Sequence, residues 1–308
     1  MKKFLLVFTI AIASLTNSHG EDIFTTKESI ILGITQGATE FLPISSTGHL
    51  ILVDRFLLDH GNLPSEDIGD SKTLRTQAKN AYFVIIQIGS MLAVLFLYKR
   101  RFVDMFLGLF GHNYHGRNLI FNLMASFLPA AIIGPFIGGW LKILYHAFSV
   151  AIALIIGGII MIHIEKSYRR RWMKGYGRID NLTFAKSFFI GLWQCLAFIP
   201  GTSRSMATII GGYQCGLRRS EAAEYSFLLG FITLSAATMY EFVKDFDVIF
   251  LHFSPKIFLL GISVACLSSI LAIKFLISFI VRNGMMIFAW YRIILAIFVL
   301  CSFFRQWA

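Results

Sequence analysis

Apolar runs long enough to cross a bilayer recur through this chain and constrain its fold more than any other feature. A spanning helix needs about 20 mainly apolar residues, and backbone inside a bilayer must satisfy its own hydrogen bonds, which favours helices. Only 15% of the 308 residues are charged, against about 25% in soluble proteins. We therefore predict an all-α polytopic membrane protein with six transmembrane helices. The predicted spans are Ala81–Tyr98, Asn118–Ile137, Ser149–Ile164, Ala222–Tyr240, Ile257–Val281 and Met285–Phe304.

Basic residues at the ends of these runs predict the orientation of the chain. The net charge is +11, and much of it lies in short segments beside the spans: Lys99–Arg101, Lys166–Arg178, Arg218–Arg219 and Arg282. Such segments remain in the cytoplasm. Nucleic-acid binding is not expected, because no basic face with interleaved aromatic residues exists outside these segments.

The N-terminus has the composition of a secretory signal over residues 1–20. Lys2 and Lys3 precede an apolar core, and small residues stand before a predicted cut ahead of Glu21. An uncleaved N-terminal membrane helix is the alternative. In either case residue 21 starts outside the cytoplasm, and residues 21–308 are predicted to form a single membrane domain.

A polar motif interrupts the first apolar region after this signal. The apolar parts Ile30–Leu42 and Leu50–Leu58 are each too short to cross about 30 Å at 1.5 Å per residue. Pro43 disfavours helix at the residue before it, and Ser45 or Ser46 then caps a new helix. We predict a re-entrant helix–turn–helix, which is allowed at that depth only where protein or a wet cavity surrounds it.

A second motif of this kind predicts an internal repeat. Ser187–Ile199 and Ser205–Gly216 flank the turn PGTSRS. The matching positions are Gly33 with Gly191, Gln36 with Gln194, Pro43 with Pro200 and Ser46 with Ser203. Each hairpin precedes three spans, so the halves 27–165 and 186–308 have opposite orientations. This is the inverted-repeat plan, in which broken helices build a site at the repeat interface.

The predicted half-helices create a site for an anion. They begin near Ser46 and Ser203, and helix N-termini present free N–H groups with positive partial charge. Arg204 stands beside one of them, and its planar fork suits bidentate contact with phosphate oxygens. The sequence therefore predicts an anionic, phosphorylated ligand between the two hairpins.

Chemically active side chains concentrate in the first hairpin. Glu40 is a candidate general acid or base, or a ligand for a divalent cation, with pairing to Arg204 as the structural alternative. Gln36, four residues earlier, orients a water or phosphate or makes a structural amide bond. His49 shares a helix face with Ser46, which allows a Ser–His pair or attack by His49 itself. Ser46 is also a candidate N-cap.

Several other polar residues receive secondary roles. Hydroxyls that are candidates for substrate binding belong to Ser45, Thr47, Thr202, Ser203, Ser205 and Thr208. Of these, Ser203 and Ser205 are expected to be caps and hydrogen-bond donors rather than nucleophiles. Lys274 and Arg292 lie within apolar runs and are expected to snorkel or to make structural pairs.

Two long motifs, QGATEFLPISSTGHL and PGTSRSMATIIGG, closely resemble those of the undecaprenyl-pyrophosphate phosphatases of the BacA/UppP type. The resemblance extends from about residue 28 through nearly the whole chain, including IIQIGSMLAVLF and EYSFLL. It implies a bacterial inner-membrane enzyme that removes the terminal phosphate of undecaprenyl diphosphate, which recycles the peptidoglycan lipid carrier and lowers sensitivity to bacitracin. Its active site is expected to open to the outer face.

The resemblance also assigns roles within the motifs. It places the important serine, histidine and arginine of the family at Ser46, His49 and Arg204. It implies dependence on Mg²⁺ or Ca²⁺; with the single carboxylate of Glu40 here, a metal that bridges Glu40 and the pyrophosphate fits better than an all-protein site. Departures from the pattern are Met206 in place of Gly and Ile232 in place of Pro, and neither removes a chemical group.

The motifs allow two other interpretations, and the residues disfavour both. A polyprenyl-phosphate transporter or flippase would use the same inverted repeat and the same Arg204, but it would not need Glu40, Ser46 and His49. The acid phosphatases with a PSGH-like motif need a histidine five residues after Ser-Arg, and none follows Arg204 until His252. A homodimer is compatible with the sequence.

Overall fold

The computed structural model describes residues 24–56, 70–141, 147–172, 177–244 and 254–305, and these parts of the chain are mainly helical. The helices are α1 Thr26–Thr39, α2 Ser46–Phe56, α3 Asp70–Ile85, α4 Gln87–Leu97, α5 Lys99–Leu109, α6 Tyr114–Leu141, α7 Ala147–Trp172, α8 Phe184–Gln194, α9 Arg204–Gln214, α10 Arg219–Lys244, α11 Pro255–Asn283 and α12 Met286–Arg305. Short 3₁₀ turns cover Ile179–Asn181 and Cys195–Phe198. The all-helical prediction is confirmed, and the predicted signal at 1–20 lies outside the described residues.

Five stretches of the described chain are long and apolar enough to cross a membrane: Lys79–Leu97, Tyr114–Ile137, Phe148–Tyr168, Arg219–Lys244 and Pro255–Asn283. They coincide with the first five predicted spans. The sixth prediction corresponds to α12, whose described apolar part, Met286–Cys301, is a shorter helix. The chain is therefore a multi-pass membrane protein.

Local structure differs from the sequence prediction in the first span. The helix that carries the start of this span, α3, covers Asp70–Ile85 and so includes the polar residues before Ala81. Several residues of this polar segment are good helix formers. The span also breaks at Ile86, where α3 ends and α4 begins, with a tight hydrogen bond from the Gly89 N–H to the Ile86 carbonyl at 3.1 Å.

Helices of the two halves exchange partners. The first short helix, α1, packs along α11 of the second half, whereas α8 packs along α6 of the first half. In the same way α4 packs against α10, and α7 against α12. The two helix–turn–helix elements, α1–α2 and α8–α9, are thus each held by spans from the opposite half.

Close approach of backbones at these contacts requires small residues. A Cβ on Gly37 would lie 2.3 Å from the Ala265 carbonyl oxygen, and one on Gly191 would lie 2.3 Å from the Ser126 carbonyl oxygen. Helices in lipid associate through such small-residue contacts because the bilayer supplies no hydrophobic force between them. Both hairpins are therefore fixed tightly against their spans.

Candidate active site

The first turn places the carboxylate of Glu40 directly after a helix. α1 ends at Thr39, and the Glu40 N–H still donates to the Gln36 carbonyl at 3.0 Å. Pro43 follows in the turn, as predicted, and α2 begins at Ser46. Ser45 has φ +75°, a left-handed conformation that costs a non-glycine residue about 1–3 kcal/mol. This strained backbone directs the Ser45 carbonyl toward α2.

Glu40 is the centre of the site. Its Oε1 lies 3.1 Å from Nη2 of Arg204, in an ion pair whose side chains are 5% and 11% exposed. Its Oε2 accepts hydrogen bonds from Gln36 Nε2 at 2.9 Å and from Ser46 Oγ at 2.8 Å. Three of the predicted site residues therefore converge on the buried carboxylate of Glu40, the fourth.

Arg204 is held against the carboxylate by the second half of the chain. It is the first residue of α9, and its Nη1 donates to the Ser226 carbonyl at 3.0 Å. Its guanidinium lies 6.0 Å from the Phe41 ring centroid and packs on Gly230, where a Cβ would approach Nη1 to 2.2 Å. The buried Nε has no hydrogen-bond partner within the described structure, so this donor is available to a ligand.

Hydrogen bonds join the two turns. The Leu42 carbonyl accepts from Ser205 Oγ at 2.9 Å and from Ser203 Oγ at 3.4 Å. Ser203 also caps α9 by accepting from the Met206 N–H at 3.3 Å. The prediction that Ser203 and Ser205 are caps and donors is confirmed, and the start of α9 is thereby fixed beside the first turn.

The remaining candidate hydroxyls lie in different surroundings. Thr208 is buried, donates to the Arg204 carbonyl at 3.0 Å and lies 2.6 Å from the Ser226 hydroxyl. Thr47 is exposed at the start of α2 and Thr202 is half-buried in the second turn. Their roles in substrate binding, like that of Ser45, stay predictions.

The sequence analysis gave Arg292 no place in the site, whereas the structure puts it against both turns. This arginine is fully buried and donates to the carbonyls of Pro43 at 3.3 Å and Gly201 at 3.0 Å, one in each turn. It also donates to the Ala153 carbonyl at 3.2 Å. Structural pairing is thus correct for Arg292 and snorkelling is wrong. Its position within an apolar run was a signal of function, but the run alone does not reveal which carbonyls it meets.

His49 does not pair with Ser46. Its Nδ1 lies 2.7 Å from the Ser45 carbonyl oxygen, and its Nε2 lies 2.7 Å from the hydroxyl of Tyr291 on α12. The Ser46 hydroxyl instead donates to Glu40. The predicted Ser–His pair is therefore replaced by two separate units, Glu40–Ser46 and His49–Tyr291.

The imidazole of His49 is held in its neutral form. Burial, which disfavours the charged imidazolium, lowers its pKa below the ordinary 6.5; the Ser45 carbonyl opposes this shift and the charge of Arg292 adds to it. His49 lies on α2, which is not among the stretches long and apolar enough to span the membrane. A neutral imidazole is able to act as a base.

Oxygen atoms near Glu40 are suited to a divalent cation only in part. The buried Gln36 Oε1 has no hydrogen-bond partner within the described structure, and carbonyl and carboxylate oxygens are the ligands that Mg²⁺ and Ca²⁺ prefer. Among the described residues no group of three or more His, Cys, Asp or Glu side chains is placed to hold a metal. Glu40 and Gln36 therefore fit a cation whose other ligands come from a bound phosphate.

Comparison with known proteins gives one family. The model of the bacitracin resistance protein BacA matches residues 29–298 of this chain. Undecaprenyl-diphosphatase 3 of Acinetobacter baylyi is 37% identical over 274 residues, which cover 89% of this chain and 96% of that relative.

Two further relatives match over similar lengths. Undecaprenyl-diphosphatase of Nitrosospira multiformis is 37% identical over 93% of this chain and 99% of its own length. Undecaprenyl-diphosphatase 2 of Rhodospirillum rubrum is 39% identical over 91% of this chain and 96% of its own length.

Proposed function

The chain belongs to the bacitracin resistance protein BacA family, and we propose that it hydrolyses undecaprenyl diphosphate to undecaprenyl phosphate and inorganic phosphate. The relatives are named for this reaction. Recycling of the lipid carrier for peptidoglycan synthesis and resistance to bacitracin follow from the family. No observation favours the flippase alternative.

The observation that carries the chemical proposal is the Ser46 hydroxyl hydrogen-bonded to the Glu40 carboxylate at 2.8 Å. A serine hydroxyl is a weak nucleophile until a nearby base accepts its proton. Glu40 Oε2 is at the distance required for that transfer. Arg204 contacts the other carboxylate oxygen at 3.1 Å.

In the proposed step Ser46 Oγ attacks the terminal phosphorus. The Oγ–P bond forms, the bond from phosphorus to the bridging oxygen breaks, and its electron pair leaves with undecaprenyl phosphate. The proton of Ser46 passes to Glu40. A water then attacks the phosphorus of the phosphoserine: its oxygen bonds to phosphorus, the Oγ–P bond breaks, and Ser46 Oγ takes back the proton held by Glu40. The proton of this water passes to neutral His49, and inorganic phosphate leaves. Direct attack by water on the diphosphate, with Glu40 as the base, is the alternative.

Charge that develops on the phosphoryl oxygens needs fixed donors. The available donors are the Nε of Arg204 and the N–H groups at the starts of α2 and α9, which begin at Ser46 and Arg204. Arg292 adds positive charge behind both turns. We assign supporting contacts with the diphosphate to Gln36, Ser45, Thr47, Thr202, Ser203, Ser205 and Thr208.

A divalent cation, Mg²⁺ or Ca²⁺, fits this arrangement as a partner of the substrate. Glu40 and the free Oε1 of Gln36 would hold it together with diphosphate oxygens. When bound, it supplies charge neutralisation at the phosphoryl group.

We assign six spans, with α12 as the sixth, and two re-entrant hairpins arranged as an inverted repeat. The exchange of partners between halves supports this assignment, because α1 packs on α11 as α8 packs on α6.

We place the protein in the bacterial inner membrane with the site open to the periplasm. The basic residues at the ends of the spans support a single cytoplasmic face, because they pair with acidic residues near the ends of other helices. Arg101 after α4 pairs with Asp180 and Glu224 at 3.1 and 2.8 Å, and Arg219 pairs with Glu165 near the end of α7. In this orientation the lipid tail of the substrate lies in the bilayer and its diphosphate lies at the outer face.

Rapid quench of the purified protein tests the proposed chemistry. Wild type mixed with terminally labelled undecaprenyl diphosphate is expected to show a transient phosphopeptide that contains Ser46. Ser46→Ala should lose the phosphopeptide and about 10²–10⁴-fold of phosphate release, whereas Thr26→Ala, which removes an exposed hydroxyl at the start of α1, serves as the control. Full activity of Ser46→Ala would contradict the serine route and leave water as the nucleophile.

A further inference from the structure

The contact between His49 and Tyr291 connects two distant parts of the chain. The Nε2 of His49 lies 2.7 Å from the Tyr291 hydroxyl. The two rings are nearly parallel, with an interplanar angle of 8° and centroids 5.7 Å apart. Tyr291 and Arg292 are neighbours on α12, so the same part of this helix contacts His49 and the turns of both hairpins.

The hydrogen bonds of His49 define its tautomer. A carbonyl oxygen only accepts, so the Nδ1 that lies 2.7 Å from the Ser45 carbonyl carries the proton. In the neutral ring Nε2 then has the lone pair and accepts the Tyr291 hydroxyl proton. The basic atom of His49 is therefore Nε2, and its nearest hydrogen-bond partner is Tyr291.

The same geometry separates His49 from the Ser46–Glu40 unit. Ser46 donates to Glu40 at 2.8 Å, and both nitrogens of His49 are engaged elsewhere. A base with a fixed tautomer and a fixed ring plane needs no rearrangement before it acts. The direction of its lone pair is set by the group that holds Nε2.

We propose that Tyr291 is a positioning residue of the reaction: it holds His49 as the Nδ1–H tautomer and directs Nε2 away from Ser46, leaving Glu40 as the base for that serine. This proposal rests on the proposed phosphatase function. Tyr291 is 43% exposed, so loss of its hydroxyl leaves the packed interior of the protein intact.

The test compares two tyrosine variants with the same chemical change. Tyr291→Phe keeps the ring and removes the hydroxyl, and Tyr240→Phe does the same at a tyrosine 67% exposed on α10. Phosphate release from undecaprenyl diphosphate is expected to lose about tenfold in kcat in Tyr291→Phe, a part of what a complete acid–base group supplies, with KM changed less than about twofold. Tyr240→Phe should match wild type.

A double-mutant cycle distinguishes positioning from general structural damage. His49→Asn retains a donor toward the Ser45 carbonyl but lacks Nε2, so Tyr291→Phe added to it should cost nothing further. Equal kcat in Tyr291→Phe and Tyr240→Phe, or the full loss again in the His49→Asn background, would overturn the proposal.

A readout independent of activity separates this proposal from the function on which it rests. In ¹⁵N-histidine-labelled protein, with the His49 signals assigned by their loss in His49→Asn, wild type should show a protonated Nδ1 and an unprotonated Nε2. Tyr291→Phe should shift the Nε2 signal and Tyr240→Phe should not. Unchanged His49 signals in Tyr291→Phe overturn the positioning role, whereas absence of phosphate release by wild type overturns the function.

Discussion

At the scale of single residues, one carboxylate combines roles that the sequence presents as alternatives. Glu40 was a candidate acid or base with pairing to Arg204 as the structural alternative. The structure shows the pairing through Oε1, while Oε2 accepts a hydrogen bond from Ser46. That second contact is the one a proposed base for the serine hydroxyl needs.

The pH dependence of phosphate release tests the role of His49. Its pKa is lowered from 6.5, so the neutral form persists as the pH falls below neutrality and is lost only when the pH passes through the lowered value. For wild type, kcat/KM measured from about pH 5 to 8 should decline on its acid side with a midpoint below 6.5. In His49→Asn this limb should disappear; an identical limb in both proteins would exclude His49 as the titrating group.

The residues themselves were predictable, and so was the pairing of Glu40 with Arg204, but the partners of Ser46 and His49 were not. Glu40, Ser46, His49 and Arg204 stand out because polar groups at membrane depth are expensive. Spacing alone put Ser46 and His49 on one helix face, yet α2 begins at Ser46, so its hydroxyl turns back to Glu40. The left-handed Ser45 directs a carbonyl to His49, and no residue pattern identifies such a conformation at a serine.

At the scale of elements, the site depends on how the two turns are held together. Leu42 in the first turn accepts from Ser205 of α9, and Arg292 of α12 donates to both turns. The helix starts at Ser46 and Arg204 agree with the sequence prediction. The contribution of α12 does not follow from sequence, because a buried arginine within an apolar run meets carbonyls that only tertiary structure brings together.

Contact between α9 and α10 gives a prediction at this scale. A Cβ on Gly230 would lie 2.2 Å from the Arg204 guanidinium, so Gly230→Ala should displace it and lower kcat by about 10²-fold, the cost of a displacement near 1 Å. The matched control is Gly48→Ala on α2, where the nearest atom to a Cβ is 3.5 Å away. Phosphate-release rates of the two purified variants are the measurement, and equal rates would contradict the assigned position of Arg204.

At the scale of the whole molecule, hydrophobic pattern and charge predict most of the architecture. The five candidate spans match the first five predicted runs, because length and apolar composition decide what crosses a bilayer. The exchange of helices between halves, with α1 on α11 and α8 on α6, required the structure. A repeat in sequence indicates symmetry but not which helices are shared.

The proposed orientation predicts which side of the membrane reaches the site. In a variant without native cysteines, Thr47→Cys at the exposed start of α2 should react with a membrane-impermeant maleimide added outside intact spheroplasts. Arg178→Cys, at an exposed residue beside the cytoplasmic contacts, should react only after the membrane is opened. The opposite pattern of labelling would reverse the assigned topology.

The central claim is that the phosphate of a prenyl diphosphate is released at the carboxylate–arginine pair between the two hairpins. Initial rates of phosphate release from undecaprenyl diphosphate by purified wild type and Arg204→Ala test it most directly. Wild type should release one phosphate per lipid, and Arg204→Ala should be about 10³-fold slower, as expected for loss of an arginine that stabilises phosphoryl transfer. No release by wild type, or comparable release by both proteins, would contradict the account.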